Sequence, residues 1–269
     1  MNMNVLEVKN VSFSYDGSRQ ILKGIDIDLR EGELVSILGA SGGGKTTLFH
    51  IIAGIYAPDE GRVLLKGEDI TGRSGRISYM LQKDLLMDYR TIEDNVALPL
   101  VLRGVSRRKA REQAAPYFER FGLEGTQKKY PKQLSGGMRQ RAALLRTYMF
   151  SGEAALLDEP FSALDALTKS SMHSWYLNVM EEIQLPTLFI THDIDEAILL
   201  SDRIFLLGGS PGRIRDEIVI EQPKPRTEDF LLTDRFIEYK RAISARLKEF
   251  GAAGTSGPNG SGQCADTYQ

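Results

Sequence analysis

The residues best placed to do chemistry form one run, Gly39-Ala40-Ser41-Gly42-Gly43-Gly44-Lys45-Thr46-Thr47, which fits the pattern G-x-x-x-x-G-K-[ST]. Small residues let the backbone curl so that successive N–H groups face one anion, and a lysine adds a full positive charge. Lys45 is expected on the β- and γ-phosphates of a nucleotide, the Thr46 hydroxyl on Mg²⁺, and Thr47 on a phosphate oxygen. Such a loop works where a strand turns sharply into a helix whose N-terminus adds partial positive charge. The flanks supply both elements: Leu34-Val35-Ser36-Ile37-Leu38 is a short buried strand, and Leu48, Ile51, Ile52 and Ile55 recur at helical spacing.

A second reactive group follows another apolar strand, Ala154-Ala155-Leu156-Leu157, which delivers Asp158 and Glu159 to its C-terminal end. There Asp158 can hold Mg²⁺ through water, while Glu159 polarises an attacking water as general base. Thr187-Leu188-Phe189-Ile190-Thr191 is a further strand, and it ends on His192, a donor that would point toward a γ-phosphate. Gln82, closing the strand Ile77 to Leu81, is either a partner for a metal-bound water or an ordinary loop glutamine. Tyr15, just before the turn Asp16-Gly17, can stack on an adenine ring or serve as a rim aromatic. Ser135, Gly136 and Gly137 open a helix, either as an anion site without its own lysine or as a serine cap with glycines. A second phosphate half-site invites a dimer in which each copy completes the other's site. Asp165 equally suits a helix N-cap.

The elements that must position these residues read as an α/β chain. Val5 to Tyr15 and Ile25 to Leu29 alternate like strands of a small antiparallel sheet, and Arg62 to Gly67 forms another strand after the turn Ala57 to Gly61. From Thr91 to Met149 the pattern turns helical: Thr91 with Asp94 fits a capping box, Ala110 to Phe121 is a helix stopped by Gly122, and Tyr130 to Gln133 is a break. Such a block suggests a helical subdomain over about 87–149. Arg203 to Leu207 and Glu217 to Ile220 bracket a glycine-rich turn as a hairpin, Phe230 to Phe250 is an amphipathic helix, and a disordered tail is expected over 251–269.

With 269 residues and a net charge of -2, the chain has room for a large α/β domain and no electrostatic reason to bind nucleic acid. The clusters Arg107-Arg108-Lys109-Arg111 and Lys128-Lys129-Lys132 read as solvated faces. A lone cysteine, Cys264, suits a reducing cytosol, and no run is apolar enough to span a membrane.

In this order, the phosphate loop ending in Lys45-Thr46, Gln82, Leu134-Ser135-Gly136-Gly137-Met138, Asp158-Glu159-Pro160, Ser162-Ala163-Leu164-Asp165 and His192 resemble the ATP-binding cassette ATPases over about residues 5–220. The resemblance implies a P-loop NTPase core with a mixed sheet, an N-terminal antiparallel β subdomain and an inserted helical subdomain, with an ATPase domain over 1–222 and a helical extension over 223–250. It implies ATP and Mg²⁺ as ligands, the latter held by Thr46, Gln82 and Asp158. Tyr15 would stack on adenine, and Ser135, Gly136, Gly137 and Met138 would act in trans on the γ-phosphate held by a second copy. Asp165 would communicate across the dimer, and Lys45, Glu159 and His192 would be catalytic.

Two positions depart from the family's commonest pattern, Met138 for Gln and Gly43 for Ser, and neither supplies the lysine, hydroxyl or acids. Leu134 to Arg141, Ile190 to Ala197 and the Gly-Ser-Pro-Gly-Arg turn are similar to the branch serving nitrate, sulfonate and taurine importers and pyrimidine-precursor uptake. The implied partners are separate permease subunits, docking near Gln82 to Asn95, and indirectly an extracytoplasmic solute-binding protein. The implied place is the cytoplasmic face of the membrane. Rival readings are a soluble cassette ATPase clamping ribosomes or DNA, a small-molecule kinase or GTPase, and the ATPase of an exporter or regulatory complex. The first usually has two cassettes or a long coiled-coil insertion, and the second is opposed by the signature helix and the lack of Asn-Lys-x-Asp.

Overall fold

A computed structural model describes residues 4–17, 19–150, 153–224 and 226–253. Two sheets share the chain. The first is antiparallel, built from β1 (Asn4–Ser14), β2 (Gln20–Arg30), β4 (Glu60–Leu65) and β5 (Glu68–Asp69) in the order β2-β1-β4-β5. The second contains β3 (Leu34–Gly39), β6 (Ser78–Met80), β7 (Ala155–Asp158), β8 (Thr187–Thr191), β9 (Arg203–Gly208) and β10 (Arg213–Val219). Its order is β10-β9-β3-β8-β7-β6, parallel except for the antiparallel β9–β10 hairpin. The sheet is thus mixed, as an α/β P-loop fold requires.

Burial on both faces explains why the central strands read as continuous apolar runs. Alternate residues divide between two cores. Val35, Ile37, Leu156, Leu188 and Ile190 pack with the first sheet and with Leu48, Phe49, Ile51 and Ile52 of α1 (Lys45–Ile52). Leu38, Leu157, Phe189 and Leu206 face the other core, beneath α4 (Gly136–Tyr148), α5 (Ala166–Ile183) and α6 (Ile194–Leu200). The two layers therefore clamp β3, β7 and β8, whose C-terminal ends carry the candidate site.

Between β6 and α4 lie α2 (Ile92–Leu102), α3 (Arg107–Arg120) and a 3-10 turn at Pro131–Gln133. Thr91 Oγ1 accepts the Asp94 N–H at 3.4 Å, but the capping box is only half made. The Asp94 carboxylate turns instead to the Arg111 guanidinium in two bonds of 2.9 Å, since a fork-shaped cation outcompetes one backbone N–H. β4 starts at Glu60 rather than Arg62 because Glu60 pairs with Ser12.

The C-terminal helix α7 (Asp234–Ala253) begins later than Phe230. Phe230 lies in the 3-10 turn Glu228–Leu232, and Thr233 Oγ1 accepts the Phe236 N–H at 3.3 Å to start the helix proper. The helix runs to Ala253, into the stretch expected as a tail; 254–269, with Cys264, lie outside the described residues.

Arg203, 4 % exposed at the start of β9, ties the layers together. It reaches Glu33 at 2.6 Å, Asp28 of β2 at 2.9 Å and Glu217 of β10 at 2.9 Å.

Candidate active site

Parallel strands all end on one edge, so the last residues of β3, β6, β7 and β8 converge there. From Gly39 the chain turns through the glycine-rich loop into α1. A Cβ on Gly39 would overlap the Leu207 carbonyl oxygen of the adjoining β9, and Gly44, at φ +91, leaves room for Leu22. Among the described residues no protein acceptor is recorded for the N–H groups of Gly42, Gly44, Lys45, Thr46 and Thr47, the donors a polyphosphate would take. The Lys45 ammonium sits on the Gly39 and Ala40 carbonyls at 2.8 and 2.9 Å. Burial holds it below the ordinary lysine range, against the pull of Glu159 and Asp158.

Asp158, at the end of β7, is buried and receives the Thr46 hydroxyl at 3.0 Å and the Tyr79 hydroxyl at 3.4 Å. Burial pushes its carboxyl above the ordinary aspartate range; the Thr46 bond opposes this and the charge of Glu159 adds to it. Burial likewise raises the Tyr79 phenol, which stays a donor.

Glu159 adopts φ +47, the left-handed region that a non-glycine residue occupies at a cost of order 1–2 kcal/mol. Its N–H is fixed to Ile190 O at 3.0 Å. The turn puts the carboxylate between Gln82 Nε2 at 3.1 Å and His192 Nδ1 at 3.1 Å. Lys45, Thr46, Gln82, Asp158, Glu159 and His192 are thereby brought together from four separate segments.

Tyr15 is 59 % exposed, with its ring edge-on to Phe13 and Tyr56 and its hydroxyl 2.9 Å from Thr47 Oγ1. It is both a rim aromatic and an open face beside the loop. The Ser135 Oγ accepts the Met138 N–H at 3.3 Å, and Asp165 accepts from Thr168 N at 3.0 Å and Thr168 Oγ1 at 2.6 Å. Both are helix N-caps, and both are exposed. Among the described residues no hydrogen bond joins Ser135, Gly136, Gly137 or Met138 to the glycine-rich loop or to Glu159. They meet the Asp165 segment instead: a Cβ on Gly137 would lie 3.2 Å from Thr168 Cγ2.

The sequence reading passed over four contributors. Tyr79 has no motif to mark it. Gln140 donates its amide to the Pro160 carbonyl, linking the signature helix to the turn after Glu159. Arg139 and Arg146 grip Asp84 and Leu85, just past Gln82, through Asp84 Oδ2 at 2.6 Å and the backbone carbonyls of both residues.

A strand-loop-helix with orphan amides, set two strands from an Asp-Glu pair, makes this a P-loop nucleoside triphosphatase fold. Residues 22–162 match the family described as ABC transporter, and the chain belongs to that family of ATP-binding cassettes. It is 44% identical over 211 residues to the formylaminopyrimidine import ATP-binding protein ThiZ of Halalkalibacterium halodurans, covering 78% of this chain and 82% of that protein. It is 36% identical over 256 residues to the aliphatic sulfonates import ATP-binding protein SsuB of Bacillus cereus, covering 95% of this chain and 100% of that one. Its fold also matches the dimeric, post-hydrolysis cassette MJ0796 bound to ADP and Pi, with a TM-score of 0.68 and 29% identity over 81% of this chain and 100% of that one.

Proposed function

We propose that the chain is the ATP-binding and ATP-hydrolysing subunit of an importer, working as a homodimer beneath separate permease subunits at the cytoplasmic face of a membrane. The observation that supports it most is Glu159, strained into place at the end of β7 with Gln82 on one carboxylate oxygen and His192 on the other. In this reading Glu159 takes a proton from the water that attacks the γ-phosphorus, and ADP leaves. His192 and Gln82 hold its oxygens in line. Lys45 and the amides of 42–47 bind the phosphates, and Tyr15 offers its exposed face to the adenine.

Thr46, Asp158 and Gln82 fit a hard divalent cation, being oxygen donors at one strand edge. The cation supplies charge neutralisation on the phosphates. Exposed Ser135, capping a helix that does not reach its own loop, is read together with Gly136 and Gly137 as completing the site of a second copy, with Met138 in the same turn and Asp165 beside it.

Among the described residues no helix is long and apolar enough to cross a membrane, so transport calls for separate spanning subunits. A cleft of about 400 Å³ runs beside the Gln82 loop between Ile55, Leu85, Leu98, Pro99, Leu102 and Phe150; Leu102 is 78 % and Leu85 52 % exposed. This cleft is read as the permease seat, with residues 1–222 as ATPase domain, 87–149 as its helical insert and 223–250 as an extension. In this reading the cargo is a nitrate-, sulfonate- or taurine-type solute or a pyrimidine precursor, delivered by an extracytoplasmic binding protein. Steady-state hydrolysis tests the chemistry. The wild type should hydrolyse ATP only with Mg²⁺, and Glu159→Gln should lower kcat by about 10²–10⁴-fold; equal rates would overturn the role of Glu159.

A further inference from the structure

His192 is 57 % exposed at its side chain, so packing does not fix it; what fixes it lies in the residues on either side. The Thr191 hydroxyl accepts the Asp193 N–H at 3.0 Å and donates to Glu196 Oε2 at 2.8 Å. The Asp193 carboxylate receives Lys169 Nζ at 2.6 Å through Oδ2 and caps α6 through Oδ1, at 2.9 Å from the Asp195 N–H. Lys169 Nζ also lies 3.4 Å from Glu196, a carboxylate only 4 % exposed whose other oxygen faces His173 Nε2 at 3.5 Å. One ammonium thus neutralises both acids that hold the His192 segment, and Glu196 lies at a depth where an unpaired carboxylate is costly, whereas the Asp193 side chain is 35 % exposed.

Lys169 belongs to the first turn of α5, and its N–H donates to the Asp165 carbonyl at 2.8 Å. That turn and its neighbours touch α4: Gly137 fits against Thr168 Cγ2 of the turn and Met172 of the next one, and Gly136 against Leu164 just before it. A single helical turn therefore bears on Gly137 through Thr168, on Asp165 that caps it and, through Lys169, on the backbone flanking His192.

We propose that Lys169 is a positioning residue for hydrolysis, fixing His192 against Glu159 by clamping Asp193 and Glu196 and coupling the switch to the turn that carries Asp165. The proposal rests on the ATPase reading above. Among the described residues the Lys169 ammonium pairs with Asp193 and Glu196 and with no atom of the glycine-rich loop or of Glu159, so its loss should act on turnover and spare nucleotide affinity.

The experiment is a double-mutant cycle in the full chain between Lys169→Met and His192→Ala, with Lys169→Arg as the conservative variant. Each protein is assayed for kcat and KM for ATP, for fluorescent ADP-analogue affinity, and for thermal midpoint. Lys169→Met should lower kcat by about tenfold or more with analogue affinity within about twofold of wild type, and Lys169→Arg should restore most of the loss. In the His192→Ala background Lys169→Met should add almost nothing, because both act through one imidazole. An unchanged kcat in Lys169→Met, or an equal loss with and without His192, would overturn the proposal. Should Lys169→Met fail to fold, Asp193→Asn removes the accepting charge while keeping an oxygen for the α6 cap, and the same cycle applies. Wild-type protein that hydrolyses no ATP would instead overturn the ATPase reading itself, so the two failures are distinct.

Discussion

Asp158→Asn should make the nucleotide-free protein more stable while it stops hydrolysis. The wild-type residue is 5 % exposed and, among the described residues, its side chain is met by two hydroxyl donors, Thr46 at 3.0 Å and Tyr79 at 3.4 Å. Those bonds do not offset burial, since the carboxyl is raised above its ordinary value of 3.8. A raised folded value means that the folded state binds the proton more tightly than the unfolded chain, so ionisation costs stability. Both hydroxyls donate to one oxygen, Oδ2, so asparagine with its carbonyl oxygen in that place keeps both bonds while shedding the buried charge. The gain should be about 1 kcal/mol, the scale of one net hydrogen bond, or about 2–4 °C in thermal midpoint for a chain of this size. Circular dichroism melts without nucleotide or Mg²⁺ measure it. The difference between variant and wild type should be full at neutral pH and shrink as the pH falls through the raised folded value toward 3.8. A lower midpoint for Asp158→Asn at neutral pH would refute the reasoning, because burial would then not be the dominant influence on this carboxyl.

Three further outcomes follow from the packing. Arg203→Met should destabilise the fold by about 3–5 kcal/mol in urea unfolding, because Asp28, Glu33 and Glu217 lose the buried cation they share. Gly39→Ala should cost about 1–3 kcal/mol and abolish nucleotide binding, measured by melting and by calorimetric titration, since the added methyl meets the rigid Leu207 backbone. Gly42→Ala should cost about 1–2 kcal/mol, the penalty of φ +79 for an L-residue, with no clash because nothing lies within 4 Å.

Much of the site was legible because its parts are contiguous motifs at strand ends. Gly39 to Thr47 needs only the strand before it and the helix after it, and β3 and α1 supply both. Asp158 and His192 follow apolar runs that are strands because both faces of the sheet are covered. Contacts across the sequence were not legible. The Tyr79–Asp158 contact spans 79 positions, and the Lys169–Asp193 pair joins a helix to a loop 24 positions away. The left-handed backbone of Glu159 was also hidden, because glutamate, unlike glycine, asparagine or aspartate, is no marker for positive φ. The half-made capping box at Thr91 shows the same limit, since a remote arginine decided where Asp94 points.

The central claim is that two copies share each ATP. Size-exclusion chromatography of Glu159→Gln, with and without Mg-ATP, tests it most directly, with Ser135→Arg in the same background as control. The account predicts a dimer that forms only with ATP and disappears in the Ser135→Arg variant. A Glu159→Gln protein that binds ATP and still elutes as a monomer, or a dimer indifferent to Ser135→Arg, would contradict it.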